Sequence, residues 1–150
     1  MLGKSLAGDL LTKVMASGVF DIIHAGHISY LEQAKALGDF LVVVVACDET
    51  VRNKKHEPIT PEAMRLRIIN SIKPVDLAIL GKNSGNIYDT ISEVKPDIIV
   101  LGFDQSFDEK CLEKNLIERG YNIQVKRASE LAEDLNATRR IIDKIKKETD

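Results

Sequence analysis

The sequence is poor in several features, and each scarcity excludes a class of protein. Its 2 cysteines, Cys47 and Cys111, are too few for a disulfide scaffold and match no zinc-binding spacing. Its 9 glycines and 4 prolines exclude collagen-like and linker-dominated chains. The longest apolar run, residues 40–47, is far shorter than the roughly 20 residues that a membrane-spanning helix needs. Charged residues interrupt the apolar part of residues 1–12, so we expect no secretory signal and a cytoplasmic protein.

Net charge is also nearly absent, because 21 Lys and Arg residues face 23 Asp and Glu residues and leave −2 at pH 7. This balance argues against a nucleic-acid partner bound by bulk positive charge, although it leaves room for a local basic site. At 150 residues, 44% of them hydrophobic, the chain has the length of one domain that holds its core without disulfides or metals.

Strand-like and helix-like segments alternate along the chain. The predicted strands are 13–19, 40–46, 75–80, 97–101 and 122–126. The predicted helices are 28–37, one that starts at Thr60, 87–94, 108–119 and 136–147, with Gly38 and Gly120 as left-handed C-terminal residues. Strands separated by helices require crossover connections. We therefore predict a single doubly wound, Rossmann-like α/β domain over residues 1–150, with a parallel sheet of about five strands and a short extension at residues 1–12.

The helix at Thr60 illustrates how its ends and faces are predicted. Thr60 is expected to cap it and Pro61 to occupy its first position. Met64, Ile68 and Ile72 recur every four residues, which predicts an apolar face.

The densest group of polar residues lies at 17–27, SGVFDIIHAGH, directly after the first predicted strand and before a helix. It contains His24 and His27, two of the 3 histidines in the chain. Helix N-termini attract anions, and Gly26 lets a phosphate approach the backbone closely, so we interpret the segment as a phosphate site. Two alternatives stay open: the histidines only cap or pack the helix, or Asp21 joins them in ligating a divalent ion.

GVFDIIHAGH resembles the (T/S/G)-x-F-D-x-x-H-x-G-H motif of the cytidylyltransferase-like nucleotidyltransferases. Three other stretches are similar to segments of that superfamily: LGDFLVVVVACDETV, PITPEAMR and KPDIIVLGFDQ. The resemblance covers about residues 13–147. It implies an enzyme that moves a nucleotidyl group from a nucleoside triphosphate to an acceptor phosphate and releases pyrophosphate.

The resemblance also implies roles for particular residues. His24 and His27 would stabilise the α-phosphate, with Lys54 and Arg65 as the other catalytic residues, while Asp104 would lie near the ribose. The remaining residues of the implied nucleotide site are Val19, Phe20, Ala25, Gly26, Arg127, Thr138 and Arg139.

On the acceptor side, the resemblance points to Asp21 and Lys82. The second basic residue that usually follows the lysine at position 54 is replaced here by Lys55 or His56. A divalent cation, Mg²⁺ in our expectation, would be carried by the triphosphate, and we predict no dedicated metal site in the chain. The resemblance further implies pairing into a homodimer.

Within the superfamily, residues 96–145 are most similar to archaeal FAD synthases, which implies ATP and FMN as substrates. Phe103, Phe107 and Tyr121 are then candidates for an apolar wall against the flavin ring, or else ordinary packing residues. One alternative is a cytidylyltransferase that uses CTP with glycerol 3-phosphate or another polyol or sugar phosphate. A second is a non-catalytic nucleotide-binding module on the same fold.

Overall fold

The computed structural model describes residues 11–54, 56–132 and 137–149. Strands and helices alternate along these residues as predicted, and the predicted extension at 1–12 lies almost wholly outside them. The elements are β1 (Lys13–Gly18), α1 (Ala25–Lys35), β2 (Phe40–Val45), α2 (Asp48–Lys54), α3 (Glu62–Asn70), β3 (Leu77–Leu80), α4 (Ile87–Val94), β4 (Ile98–Leu101), α5 (Glu109–Glu118), β5 (Gln124–Arg127) and α6 (Thr138–Thr149).

The described strands form one parallel sheet in the order β3-β2-β1-β4-β5, which confirms the doubly wound fold. The chain winds outward from β1 in one direction and then, from β4, in the other. The order therefore reverses between β1 and β4. In an open parallel sheet the ligand crevice lies at such a switch point, beyond the carboxyl ends of the strands.

The core has two layers, one on each face of the sheet, and β2 shows why. Its sequence FLVVVV has no polar position, as expected of a strand covered on both sides. Leu41, Val43 and Val45 pack in the layer that includes residues of α1 and α3. Val42 and Val44 pack in the layer that includes residues of α4 and α5. Both layers sit beneath the carboxyl ends of the strands and give the loops there a rigid base.

The apolar face predicted for α3 is wrong at Met64 and Ile68, whereas Ile72, just after the helix, packs against the core. Met64 and Ile68 are 48% and 39% exposed, whereas the buried residues of this helix are Arg65 and Ile69. The helix is rotated because Arg65 buries its guanidinium against backbone carbonyls, a preference that an apolar periodicity does not register. The cap is also shifted: Pro61 is the N-cap of α3, and the hydroxyl of Thr60 donates a hydrogen bond elsewhere.

The two glycines predicted at helix ends, Gly38 and Gly120, are required for different reasons. Gly120 has a φ of 87°, as predicted for a left-handed residue after α5. The same prediction is wrong for Gly38, which does not have a positive φ. A Cβ there would lie 2.6 Å from Cγ2 of Val14, so the requirement at Gly38 is close packing. The helix α2 was not predicted. The helix α6 forms about where predicted, but Ile145 is 56% exposed and none of its described residues is buried.

The described helices include none that is both long and apolar enough to cross a membrane.

Candidate functional site

The crevice at the switch point is held open by two side chains. The β1–β4 ladder ends at the pair Ala16 and Val100. Beyond it, the Tyr30 hydroxyl donates to the Val100 carbonyl at 2.6 Å and accepts the Ser17 N–H at 3.1 Å. Burial raises the pKa of Tyr30, so the hydroxyl keeps its proton. Side-chain hydrogen bonds thus replace the ladder where the two strands separate.

A second bridge lies in the loop after β4. The Gln105 amide nitrogen donates to the Ser17 carbonyl at 3.2 Å, and its oxygen accepts the Gly102 N–H at 2.7 Å. Neither Tyr30 nor Gln105 was assigned a role from the sequence. Several of their partners are distant along the chain. The one available signal in the sequence was Gln105 itself, the last residue of the stretch KPDIIVLGFDQ.

The loop between β1 and α1 has an unusual backbone. Phe20 and Ile22 have positive φ values of 55° and 30°, which cost energy for residues with a Cβ. Phe20 is 3% exposed, and its ring lies 5.4 Å from that of His27 between centroids. A Cβ at position 18 would come within 3.0 Å of the Phe20 ring, which explains Gly18. The loop therefore packs Phe20 beneath His27 and leaves no room for a side chain at position 18.

Asp21 fixes this loop to the segment before α3. One carboxylate oxygen accepts the Ile59 N–H at 2.7 Å, and the other accepts the Thr60 N–H at 2.9 Å and the Thr60 hydroxyl at 2.5 Å. Burial alone would raise the pKa of Asp21, but these hydrogen bonds from Thr60 and Ile59 outweigh it and lower the pKa. The carboxylate is 6% exposed and already occupied, so it orients the loop.

The two histidines form the start of α1 as a reciprocal cap. The Nδ1 atom of His24 accepts the Gly26 N–H at 3.0 Å, and that of His27 accepts the His24 N–H at 3.3 Å. The rings stack with centroids 3.8 Å apart. Because both Nδ1 atoms act as acceptors, each neutral ring carries its proton on Nε2. The pair therefore offers two N–H donors that the cap itself does not use.

Both rings are held in the neutral form. Burial, together with the neighbouring His24, lowers the pKa of His27 to about 3. Burial also lowers the pKa of His24, although the charge of Asp104 opposes the shift. Without a bound anion the histidines are therefore hydrogen-bond donors rather than fixed cations at neutral pH.

A cavity of about 560 Å³, which we call the histidine-side cavity, opens above the pair. It joins the loop after β1, the loops after β4 and β5, and the start of α6. At that start Thr138 donates its hydroxyl to the Ile22 carbonyl at 3.2 Å, and Arg139 is exposed. The predicted site residues that line this cavity are Val19, Phe20, Asp21, His24, Gly26, His27, Asp104, Thr138 and Arg139.

A second cavity of about 420 Å³, the lysine-side cavity, lies beyond the ends of β2 and β3. Lys54 from α2 approaches the Gly85 carbonyl at 3.4 Å, and Lys82 pairs with Glu93 at 2.6 Å. Its apolar lining residues are Met15, Val19, Val44, Ala46, Val51, Ile87 and Phe107. This cavity therefore combines an apolar floor with cations at its edge.

The two cavities meet at the switch point. They share a wall formed by Ser17, Gly18, Val19, Asp104 and Gln105. An anion bound at the histidines and a second molecule in the lysine-side cavity would consequently come together at this wall.

Arg65, expected among the catalytic residues, lies in neither cavity. It is fully buried, and its guanidinium donates to the carbonyls of Val19 at 2.8 Å and Ala46 at 2.7 Å. It also donates to the Thr60 carbonyl at 3.0 Å and pairs with Asp48 at 2.6 Å. With all these partners, Arg65 positions the loops and does not face the cavity.

Arg127 has a similar placement behind the loop after β4. It pairs with Glu109 and donates to the carbonyls of Gly102 at 2.8 Å and Gln105 at 2.9 Å. It also donates to the carbonyls of Phe107 and, at 3.4 Å, Phe103. Arg127 lines neither cavity, so its described contacts are with the loop after β4, and its contact with the nucleotide stays a prediction.

Several other predicted site residues lie in places that the sequence did not indicate. Asp21, assigned to the acceptor, lies on the histidine side, and Ala25 is exposed outside both cavities. Of the three aromatic candidates for the apolar wall, Phe107 lines the lysine-side cavity and Phe103 the histidine-side cavity, while Tyr121 packs against the core. His56 lines the histidine-side cavity, and Lys55 lies outside the described residues.

A resident metal does not fit the described residues. In the part of the chain that the structure describes, no three His, Cys, Asp or Glu side chains converge as metal ligands. The carboxylate of Asp21, the candidate partner of the histidines, is taken by Ile59 and Thr60.

The chain as a whole is similar to known proteins of one family. A family model described as cytidylyltransferase-like matches residues 15–146. A curated FAD synthase from Aciduliprofundum boonei is 51% identical over 136 residues, which are 90% of this chain and 91% of that protein. A second FAD synthase, from Archaeoglobus profundus, is 50% identical over 141 residues, covering 91% and 90% of the two chains.

Solved structures agree on the fold. A protein from Thermoplasma volcanium, described as a lipopolysaccharide core biosynthesis protein, superposes with a TM-score of 0.78 at 50% identity and covers 81% of this chain and 98% of its own. Pantothenate synthetase from Thermus thermophilus superposes with a TM-score of 0.62 over 82% of this chain and 57% of its own. At 12% identity, that second likeness shows the fold alone.

Proposed function

The chain belongs to the cytidylyltransferase-like family, and we propose that it transfers the AMP group of ATP to FMN, giving FAD and pyrophosphate. The observation that carries the proposal is the pair of cavities with a common wall at the switch point. One has a histidine pair built to donate to an anion, and the other has an apolar floor with lysines at its edge. The names of the similar FAD synthases support the choice of ATP and FMN.

The reaction is an in-line displacement at the α-phosphorus. An oxygen of the FMN phosphate forms a bond to the α-phosphorus of ATP. The bond from the α-phosphorus to the bridging oxygen breaks, and its electron pair leaves with pyrophosphate. No covalent enzyme intermediate is needed, so the protein has to align two anions and stabilise the charge that develops on the phosphoryl oxygens.

His24 and His27 are proposed to stabilise that charge. Their Nε2–H groups are donors, and the reciprocal cap through Nδ1 fixes both rings before substrate binds. A phosphate bound against the rings would raise their pKa values, so they can gain positive charge when the anion is in place.

The rest of ATP is proposed to occupy the histidine-side cavity. Thr138 and Arg139 at the start of α6 would bind the β and γ phosphates, a role supported by their position in the cavity lining and by the preference of a helix N-terminus for anions. The backbone of Val19 and Phe20 would contact the phosphates, and Asp104 would bind the ribose.

FMN is proposed to occupy the lysine-side cavity with its phosphate at the common wall. Lys54 and Lys82 would attract the phosphate, and the apolar floor would accept the isoalloxazine ring. We assign the divalent cation to the ATP substrate and propose Mg²⁺ as its identity. Pairing of two copies is a further proposal, tested by light scattering of the purified protein.

The direct test mixes purified protein with ATP, Mg²⁺ and FMN and follows FAD by chromatography and by the loss of flavin fluorescence. FAD and pyrophosphate should appear in equal amounts. The matched control supplies CTP and glycerol 3-phosphate instead. Pyrophosphate from the control pair with no FAD from the first would reject FMN as the acceptor, and no product from either would reject the transferase.

A further inference from the structure

Thr90 is a buried polar residue whose hydroxyl serves no structural need within the described residues. It lies on α4 and is 6% exposed. Threonine in a helix commonly donates its hydroxyl to a carbonyl one turn earlier. Here the hydroxyl has no hydrogen-bond partner among residues 11–54, 56–132 and 137–149. Such a group is destabilising unless something outside the folded chain satisfies it.

The surroundings of Thr90 indicate where a partner would be. Thr90 lines the lysine-side cavity and is absent from the histidine-side cavity. Its helix presents Ile87 to the same cavity, and Met15 and Val44 line the floor from the sheet. Asn86, one turn earlier, also lines this cavity, but its side-chain oxygen already accepts the Tyr88 N–H at 2.9 Å. The Thr90 hydroxyl therefore adds an unused polar group to a lining that is apolar at Met15, Val44 and Ile87.

The charged groups of this cavity lie elsewhere in its lining. Lys54 comes from the end of α2, and Lys82 from the loop after β3, where it pairs with Glu93 at 2.6 Å. Asp104 is the third charged residue and lies in the wall shared with the histidines. The acceptor phosphate has to reach that wall and has the two lysines as cations to meet it. The part of the acceptor that reaches Thr90 is consequently uncharged, largely apolar and in need of one hydrogen bond.

We propose that Thr90 is a specificity-determining residue that hydrogen-bonds the polar edge of the acceptor's ring. This inference rests on the proposed function, in which the acceptor is FMN. The isoalloxazine ring has the required chemistry, because it is planar and apolar over most of its area and carries carbonyl and imide groups on one edge. The hydroxyl can donate to such a carbonyl or accept from the imide N–H.

Two substitutions separate a ligand role from a structural role. Thr90→Val keeps the shape and removes the hydroxyl, whereas Thr90→Ser keeps the hydroxyl. We expect Thr90→Val to raise KM for FMN roughly 5- to 10-fold, the scale of one neutral hydrogen bond, with KM for ATP unchanged. Thr90→Ser should stay within about threefold of the wild type. Ser92→Ala, which alters an exposed hydroxyl on the same helix, is the matched control.

The second readout is thermal unfolding without substrate. Because the hydroxyl has no partner in the described structure, Thr90→Val should melt at the wild-type temperature or a few degrees above it. Melting well below wild type would show a structural hydrogen bond and overturn the inference, as would an unchanged KM for FMN. Wild-type protein that forms no FAD would instead reject the proposed function, so the two failures are distinguishable.

Discussion

Replacement of Arg65 by alanine tests how the loop after β1 is held. The guanidinium is fully buried and reaches three separate segments of the chain. It donates to the carbonyls of Val19, Ala46 and Thr60 and pairs with Asp48 at 2.6 Å. Alanine removes all these donors at once and leaves a cavity under the loop.

The expected cost follows from these contacts. Removing one partner of a buried ion pair costs about 3–5 kcal/mol. The Asp48 side chain is 19% exposed, so water can recover part of its loss, while the three carbonyls lose a charged donor. We expect a loss of about 3 kcal/mol, which is a large part of a typical stability of about 5–15 kcal/mol. Arg65→Lys keeps the charge without the planar fork, and we expect a loss of about 1–2 kcal/mol.

Urea unfolding followed by far-ultraviolet circular dichroism measures both losses, since the chain has 0 tryptophans to report by fluorescence. Arg67→Ala is the control, because Arg67 is exposed on the same helix and should change stability by less than about 0.5 kcal/mol. If Arg65→Ala were as stable as Arg67→Ala, the buried network would not hold the loop. A phosphate-binding role alone predicts that result, with the loss confined to ATP binding.

Three further outcomes are expected. His24→Ala and His27→Ala should each lower kcat by roughly 10²–10⁴ in the FAD-forming assay while retaining the wild-type circular dichroism spectrum. Lys54→Ala should raise KM for FMN about tenfold, whereas the exposed Lys73→Ala should leave it unchanged. The pKa of His27 is about 3 in the folded protein against 6.5 for an unperturbed histidine, so the unfolded chain takes up its proton first and stability falls as pH drops below 6.5. At pH 5 the loss from His27 is about 2 kcal/mol, and His27→Gln should remove that slope in urea titrations at neutral and acidic pH.

The strands and the histidine loop could be predicted from the sequence because their signals are local. A run such as residues 40–46 has one stable environment, a strand buried on both faces, and β2 occupies it. His24 and His27 are three residues apart at the start of a helix, so the helical repeat brings their side chains together. The face of α3 could not be predicted in the same way, since Arg65 is buried by carbonyls from Val19 and Ala46, which are distant in sequence.

Thr90 could not be recognised from the sequence, because it lies within an apolar helical face where threonine is common. Ile87, Ile91 and Val94 follow the helical repeat of a core-facing surface, and Thr90 falls within that surface. A hydroxyl at such a position is common when it bonds to the preceding turn. Only the structure shows that this bond is missing within the described part of α4 and that a cavity lies in front of the residue.

The two positioning arginines act on opposite sides of the same crevice. Arg65 collects carbonyls behind the loop after β1, and Arg127 collects those of Gly102 and Gln105 behind the loop after β4. A phosphate group is repelled by carbonyl oxygens and attracted by N–H groups, so a phosphate site between strand ends needs its carbonyls directed away from the ligand. A cation buried behind each loop stabilises that orientation before any substrate arrives. In the proposed reaction the positive charges of Arg65 and Arg127 would therefore serve a bound phosphate indirectly, by orienting the backbone, while the histidines and the start of α6 line the histidine-side cavity.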